Sequence, residues 1–174
     1  MQNGTPTESH TCHSAPTRSG TARNVQAWDD MHVEKQGANE CMLATLAALG
    51  GATLDTMRAM VRQHAGLSWD EIWMTDAEPE RHNLFWGTVT ALCIALGLPP
   101  IPRVLGPPPT GYALPPRGRG HLRVGSAFGN HIMPWENGLL YDPHHPEDGV
   151  TLAQWLVSCP GWWVTRITTV SDGP

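Results

Sequence analysis

Between Pro99 and Gly120 the chain carries three proline clusters, Pro99-Pro100, Pro107-Pro108-Pro109 and Pro115-Pro116, with glycines among them. Proline fixes φ and removes a backbone donor, so neither a helix nor an inner strand can run through such a stretch. A long surface loop is therefore expected over residues 99–120, of the length at which functional lids occur. It divides the chain into two halves that must each form their own elements.

The first half has helical spacing. Met42, Leu43, Leu46 and Leu49 fall on one face of a helix that starts at Cys41, and Gly50-Gly51 supplies its left-handed stop. Thr53 caps a second helix, in which Leu54, Met57, Met60 and Val61 form the apolar stripe and Gly66 the terminator. Asn83 is the cap expected for a third, ending near Gly97 before Pro99. Beyond the proline-rich stretch, Leu122–Ala127, Asn130–Trp135 and Leu139–Asp142 read as strands, with the Asn137-Gly138 hairpin signal between the last two. A short amphipathic helix at Thr151–Val157 and a last strand at Trp162–Val170 follow. Helices first and an antiparallel sheet second give an α+β fold.

Residues 1–24 are rich in Thr, Ser, Gly, Asn and Pro and nearly devoid of large apolar side chains, which predicts a flexible arm. Residues 25–174 are then one domain. A formal net charge of -5, with only 11 Lys plus Arg, gives no electrostatic footprint for nucleic acid. Leu84–Leu98, the most apolar run, is too short and too interrupted to span a bilayer, and the N-terminus lacks the pattern of a signal peptide. A cytoplasmic protein with neither a nucleic-acid nor a membrane partner is expected; export as an effector without a cleavable signal is the other route. The irregularly spaced Cys12, Cys41, Cys93 and Cys159 are expected to be free thiols.

Cys41 differs from the other cysteines in its position. A helix N-terminus presents free N–H groups and the positive end of the dipole, and both favour a thiolate. Cys93 lies inside an apolar helix and is expected in the core. His131 and Asp142 lie on the two arms of the expected hairpin, where they can meet as cross-strand neighbours. Thiol, imidazole and carboxylate are the parts of a nucleophile, its base and the group that orients the base. Gln36, with Asn39 as fallback, is the side-chain amide for an oxyanion, beside the Cys41 N–H. Either amide can equally be a helix cap or turn residue. Trp135 and His144 are candidate cleft residues. His144 and His145, with His131 and Asp142, are the densest cluster of metal-binding side chains, but their spacing shows no second ligand set, so no metal and no cofactor is expected.

Gln36 ahead of the Cys41 helix, His131 early in a strand and Asp142 at the end of the next resemble the papain-like cysteine peptidase superfamily. The likeness is to its small bacterial and phage branch, similar to the peptidases that process bacteriocin leaders. It extends over about residues 33–146, with two departures: Gln36 lies five residues before Cys41 where the family usually has six, and Met42 stands where many members have a small residue. The resemblance implies a papain-like fold, with a helical lobe packed on an antiparallel sheet. It also implies Cys41 as nucleophile, His131 as base and acid, Asp142 as orienter, and Gln36 as oxyanion donor, acting on a peptide or protein substrate. The expected activity is thiol-dependent hydrolysis of a peptide or amide bond through a thioester. Protein deamidation, transglutamination or peptidyl transfer by the same triad is the alternative chemistry. A binding or effector protein that keeps the fold without turnover is the non-enzymatic alternative.

Overall fold

A computed structural model describes residues 31–74, 79–103, 113–127 and 129–170. The expected N-terminal arm and the centre of the proline-rich loop lie outside these residues. Four helices come first: α1 (Cys41–Gly50), α2 (Leu54–Ala65), α3 (Trp69–Met74) and α4 (Pro79–Ala95). Strands β1 (Arg119–Ser126), β2 (Gly129–Glu136), β3 (Leu139–Asp142) and β4 (His145–Val150) follow, then α5 (Leu152–Ser158) and β5 (Trp163–Val170). The strands form one antiparallel sheet in the order β4-β3-β2-β1-β5, so the class is α+β. Among the described residues no helix is long and apolar enough to cross a membrane.

Local signals set most boundaries. Gly51 ends α1 at φ 65° and Gly66 ends α2 at φ 70°, both left-handed, where a Cβ would add strain. Thr53 caps α2 by accepting the Thr56 N–H, and a capping box between Thr151 and Gln154 starts α5. Asn137 and Gly138, with φ of 49° and 83°, make the two-residue turn between β2 and β3.

Four elements depart from sequence expectation, the first being α3, which is not among the three helices expected in the first half. α1 is buried nearly all round rather than on one stripe, because α2 packs against it on one side and β2 on another. α4 begins at Pro79, a favoured first-turn residue, so Asn83 lies inside the helix, where its side chain accepts from Arg103 Nη1 at 3.3 Å. β4 occupies a stretch whose prolines suggest a turn; it is an edge strand, where a proline costs no inner ladder bond.

Alternation along the strands divides the interior in two. Ile132 and Val170 join α1, α2, α3 and α4 in one core. Leu122, Val124, Met133, Trp135, Leu140 and Val164 face the other way and pack with Leu152 and Trp155 of α5. Trp69, Trp73, Phe85 and Trp86 form an aromatic cluster in the helical core, and the Arg123 guanidinium stands 5.9 Å from the Trp86 ring. Cys93 is a free thiol with 0% exposure. Cys159, expected to be free, is instead disulfide-bonded.

Candidate active site

The site forms where the sheet splits. β2 pairs with β3 only at Trp135↔Leu140 and Glu136↔Leu139, which leaves the earlier part of β2 with a free edge. α1 takes that edge. The Thr45 hydroxyl donates to the Ile132 carbonyl at 3.2 Å, and the Ile132 N–H points at the Cys41 sulfur. Both backbone groups of Ile132 are thus given to the helix, and the sulfur at the helix start is brought beside His131.

His131 Nε2 and Asp142 Oδ1 are 3.0 Å apart, which leaves Nδ1 as the ring nitrogen for the Cys41 sulfur. Asp142 is held from two further directions. Its Oδ1 accepts the His144 backbone N–H at 3.0 Å and its Oδ2 accepts Trp155 Nε1–H at 2.9 Å. Trp162 meets the His131 ring edge-on, with centroids 6.1 Å apart, and His144 stacks on it at 5.2 Å.

Charges follow from this packing. Burial opposes a thiolate at Cys41, but hydrogen bonding and charge from His131, with the Ile132 and Met42 N–H groups, outweigh it and lower the thiol. Burial likewise opposes an imidazolium at His131. The Asp142 carboxylate and the Cys41 thiolate reverse that effect and raise it to about 10. Burial would raise Asp142 too, yet His131, the His144 N–H and the Trp155 indole hold it well below the usual carboxylate range. Cys93, with backbone hydrogen bonding from Ile101 but no charged group acting on it, has its thiol pushed up by burial. The directions at Cys41, His131 and Asp142 all favour the charged form of each group in the presence of the others.

The loop before α1 completes the site. Gln36 N–H donates to the Pro143 carbonyl at 2.9 Å, tying this loop to the end of β3. Gly37 N–H donates to Glu40 Oε2 at 2.7 Å, and Asn39 adopts φ 60° with its carbonyl accepting from Trp69 Nε1 at 2.8 Å. Glu40 is buried at the N-cap of α1, and Arg58 of α2 grips both its oxygens at 2.8 and 2.7 Å. A cavity of about 550 Å³ lies over this loop; Cys41, His131, Trp73, His144 and Trp162 are among its lining residues.

The five residues Gln36, Cys41, His131, Asp142 and His144 therefore converge on one cleft, and Asn39 also lines it. Trp135 does not. It has 0% exposure in the core beneath the sheet, where its indole N–H reaches the Thr168 carbonyl at 3.2 Å, because residues 131, 133 and 135 point inward along β2 and only the first reaches the cleft. Trp162, which the sequence offers with Trp163 as a possible cleft wall, does line the cavity, whereas Trp73 and Trp155 are lining residues that sequence reasoning missed; the helix start at Thr151 was the one local signal placing Trp155. Among the described residues no three His, Cys, Asp or Glu side chains are grouped to hold a metal ion. Comparison with protein-family models, curated proteins and solved structures found no match to this chain.

Proposed function

We propose that this protein is a thiol-dependent hydrolase of the papain-like kind that cleaves a peptide or amide bond. The observation that carries the reading is the continuous contact from the Cys41 sulfur through His131 to Asp142, with the sulfur at a helix start and on the wall of a cavity. Cys41 thiolate attacks the carbonyl carbon, and the electron pair of the carbonyl moves to its oxygen. The Cys41 N–H and the Gln36 amide meet that oxyanion. The His131 imidazolium gives its proton to the leaving amine, leaving a thioester on Cys41. A water molecule, deprotonated by His131, then displaces the sulfur and releases the acid. Asp142 keeps Nε2 occupied, so the ring faces the sulfur throughout.

Iodoacetamide alkylation at mildly acidic pH tests the activated thiol without a substrate. Cys41 should react at least roughly tenfold faster in the wild-type protein than in His131→Ala, because only the ion pair keeps the sulfur ionised there. Equal rates would remove the basis of the proposal. Mass spectrometry of a peptide pool then identifies the reaction: fragments absent with Cys41→Ser indicate hydrolysis, whereas amide-to-acid mass changes without fragments indicate deamidation.

A further inference from the structure

Asp142 ends β3, and the torsion that turns its carboxylate is soft, so the donors around its two oxygens decide which way it faces. Oδ1 serves both His131 Nε2 and the His144 backbone N–H, each at 3.0 Å. The second of these comes from two residues along the chain and travels with the strand end. Among the described residues Oδ2 has one donor, the Trp155 indole N–H at 2.9 Å. The triad carboxylate is therefore held from α5, outside the β2–β3 hairpin that carries His131 and Asp142.

The surroundings of Trp155 make that hold firm. The capping box of Thr151 and Gln154 fixes the start of α5, and the indole is 5% exposed in the core beneath the sheet. The Trp155 carbonyl accepts the Cys159 N–H at 2.9 Å, and the Cys159 carbonyl accepts the Trp162 N–H at 3.4 Å. Trp162 in turn meets Trp155 and His131 edge-on, with ring centroids 6.2 and 6.1 Å away. One short segment thus supports the carboxylate through one indole and the imidazole through the other. Packing does not require this use of the N–H group: the buried Trp69 and Trp135 give theirs to the Asn39 and Thr168 backbone carbonyls.

We propose that Trp155 is a positioning residue for the reaction proposed above: its indole N–H fixes Oδ2 and so keeps Oδ1 aimed at His131 Nε2. The proposal rests on the thiol-hydrolase reading. The groups acting on the carboxylate charge are His131 from β2, the His144 N–H after β3 and the indole of α5. Without the indole, Oδ2 is a buried, charged oxygen lacking a donor, which is costly. The carboxylate then turns to share the donors of Oδ1, or takes up water from the cavity that Trp155 also lines. Either change draws negative charge away from Nε2, so His131 holds its proton less tightly and the Cys41 thiolate loses its counter-charge.

The rate of Cys41 alkylation by iodoacetamide, followed from about pH 4 to about pH 10 on the Cys41 peptide by mass spectrometry, reads this without a substrate. Trp155→Phe keeps an aromatic ring and loses the donor. Trp155→3-benzothienylalanine keeps the bicyclic shape as well, with sulfur where the N–H stands, and so remains informative where the smaller ring compromises folding. In both variants the midpoint of the profile should rise. The rate at mildly acidic pH should fall roughly fivefold or more, while the alkaline plateau, where the sulfur is ionised in any case, should change by less than about twofold. A packing role would spare the isosteric variant. An unchanged or lowered midpoint in that variant overturns the proposal, as does an equal fall of the acidic and plateau rates. A wild-type Cys41 with the midpoint of an ordinary thiol would instead overturn the hydrolase reading beneath it.

Discussion

Asp142 is the most heavily partnered side chain of the site, and its surroundings define a pH window. Three donors converge on a carboxylate that is 5% exposed, so its folded pKa lies below the ordinary value of about 3.9. A depressed carboxylate stabilises the fold fully above that value, and the contribution is lost as pH falls through the range toward the folded pKa. His131 works in the opposite sense: raised to about 10, it contributes fully below the ordinary imidazole value and loses that contribution as pH climbs past 10. Asp142→Asn keeps an acceptor but removes the charge facing a buried imidazolium. At neutral pH the expected loss is about 3–5 kcal/mol, the usual consequence of leaving one buried charge unpaired. Urea unfolding of the two proteins between about pH 7 and pH 2 checks the sign. The gap should close on acidification because the wild type alone loses the Asp142 contribution, and a constant gap would contradict the assignment.

At the scale of elements, α1 and α2 are joined by a bidentate ion pair. Glu40 lies buried at the N-cap of α1, and Arg58 neutralises it from α2. Arg58→Met should destabilise the fold by about 2 kcal/mol in urea unfolding, the upper range being tempered by the partial exposure of Arg58. Adding Glu40→Gln should recover part of that loss, because no buried carboxylate is then left unpaired, and no recovery would exclude the electrostatic explanation. This pair also shows where sequence reading stops. The ends of α1 and α2, the β2–β3 turn and the start of α5 are written in residues within a few positions of one another: Gly51, Thr53, Gly66, Asn137-Gly138, and Thr151 with Gln154. Local physics suffices for those. Glu40 and Arg58 are 18 positions apart, Asp142 and Trp155 13, and neither pair has a local signature. β4 is likewise invisible locally, because its pairing with β3 at Leu140↔Val150 and Asp142↔His145 overrides proline and glycine content that disfavours a strand. Cys41, His131 and Asp142 were legible because thiol chemistry restricts the residue types and their placement on elements; Trp73 and Trp155 were not, since tryptophan is a common core residue.

For the molecule as a whole, β1 is the strand on which both cores and the site depend. It pairs with β2 on one side, over Arg119–Ser126, and with β5 on the other. Any change that separates it from β5 also disturbs β2 and the His131 placed there. Gly120 is the point of closest approach: a Cβ at this position would run into the Thr168 carbonyl and crowd the Trp135 indole nitrogen, 2.9 Å away. The absent side chain is what lets Trp135 reach across β1 to bond the Thr168 carbonyl, linking β2, β1 and β5 through one indole. Gly120→Ala sets steric overlap with backbone against the small entropic gain of removing a glycine, and overlap with backbone wins because the carbonyl belongs to the ladder and cannot rotate away. The expected cost is about 1–3 kcal/mol or more, with the Trp135 fluorescence environment altered. Trp135→Phe in the same position relieves only part of the overlap, so the double variant should recover little stability. Because β1 serves both cores, the unfolding transition should shift as one step, and Cys41 alkylation in the folded protein should slow in parallel with it. Loss of stability with the alkylation rate unchanged would mean that the free edge of β2 is held by α1 alone, independently of the sheet behind it.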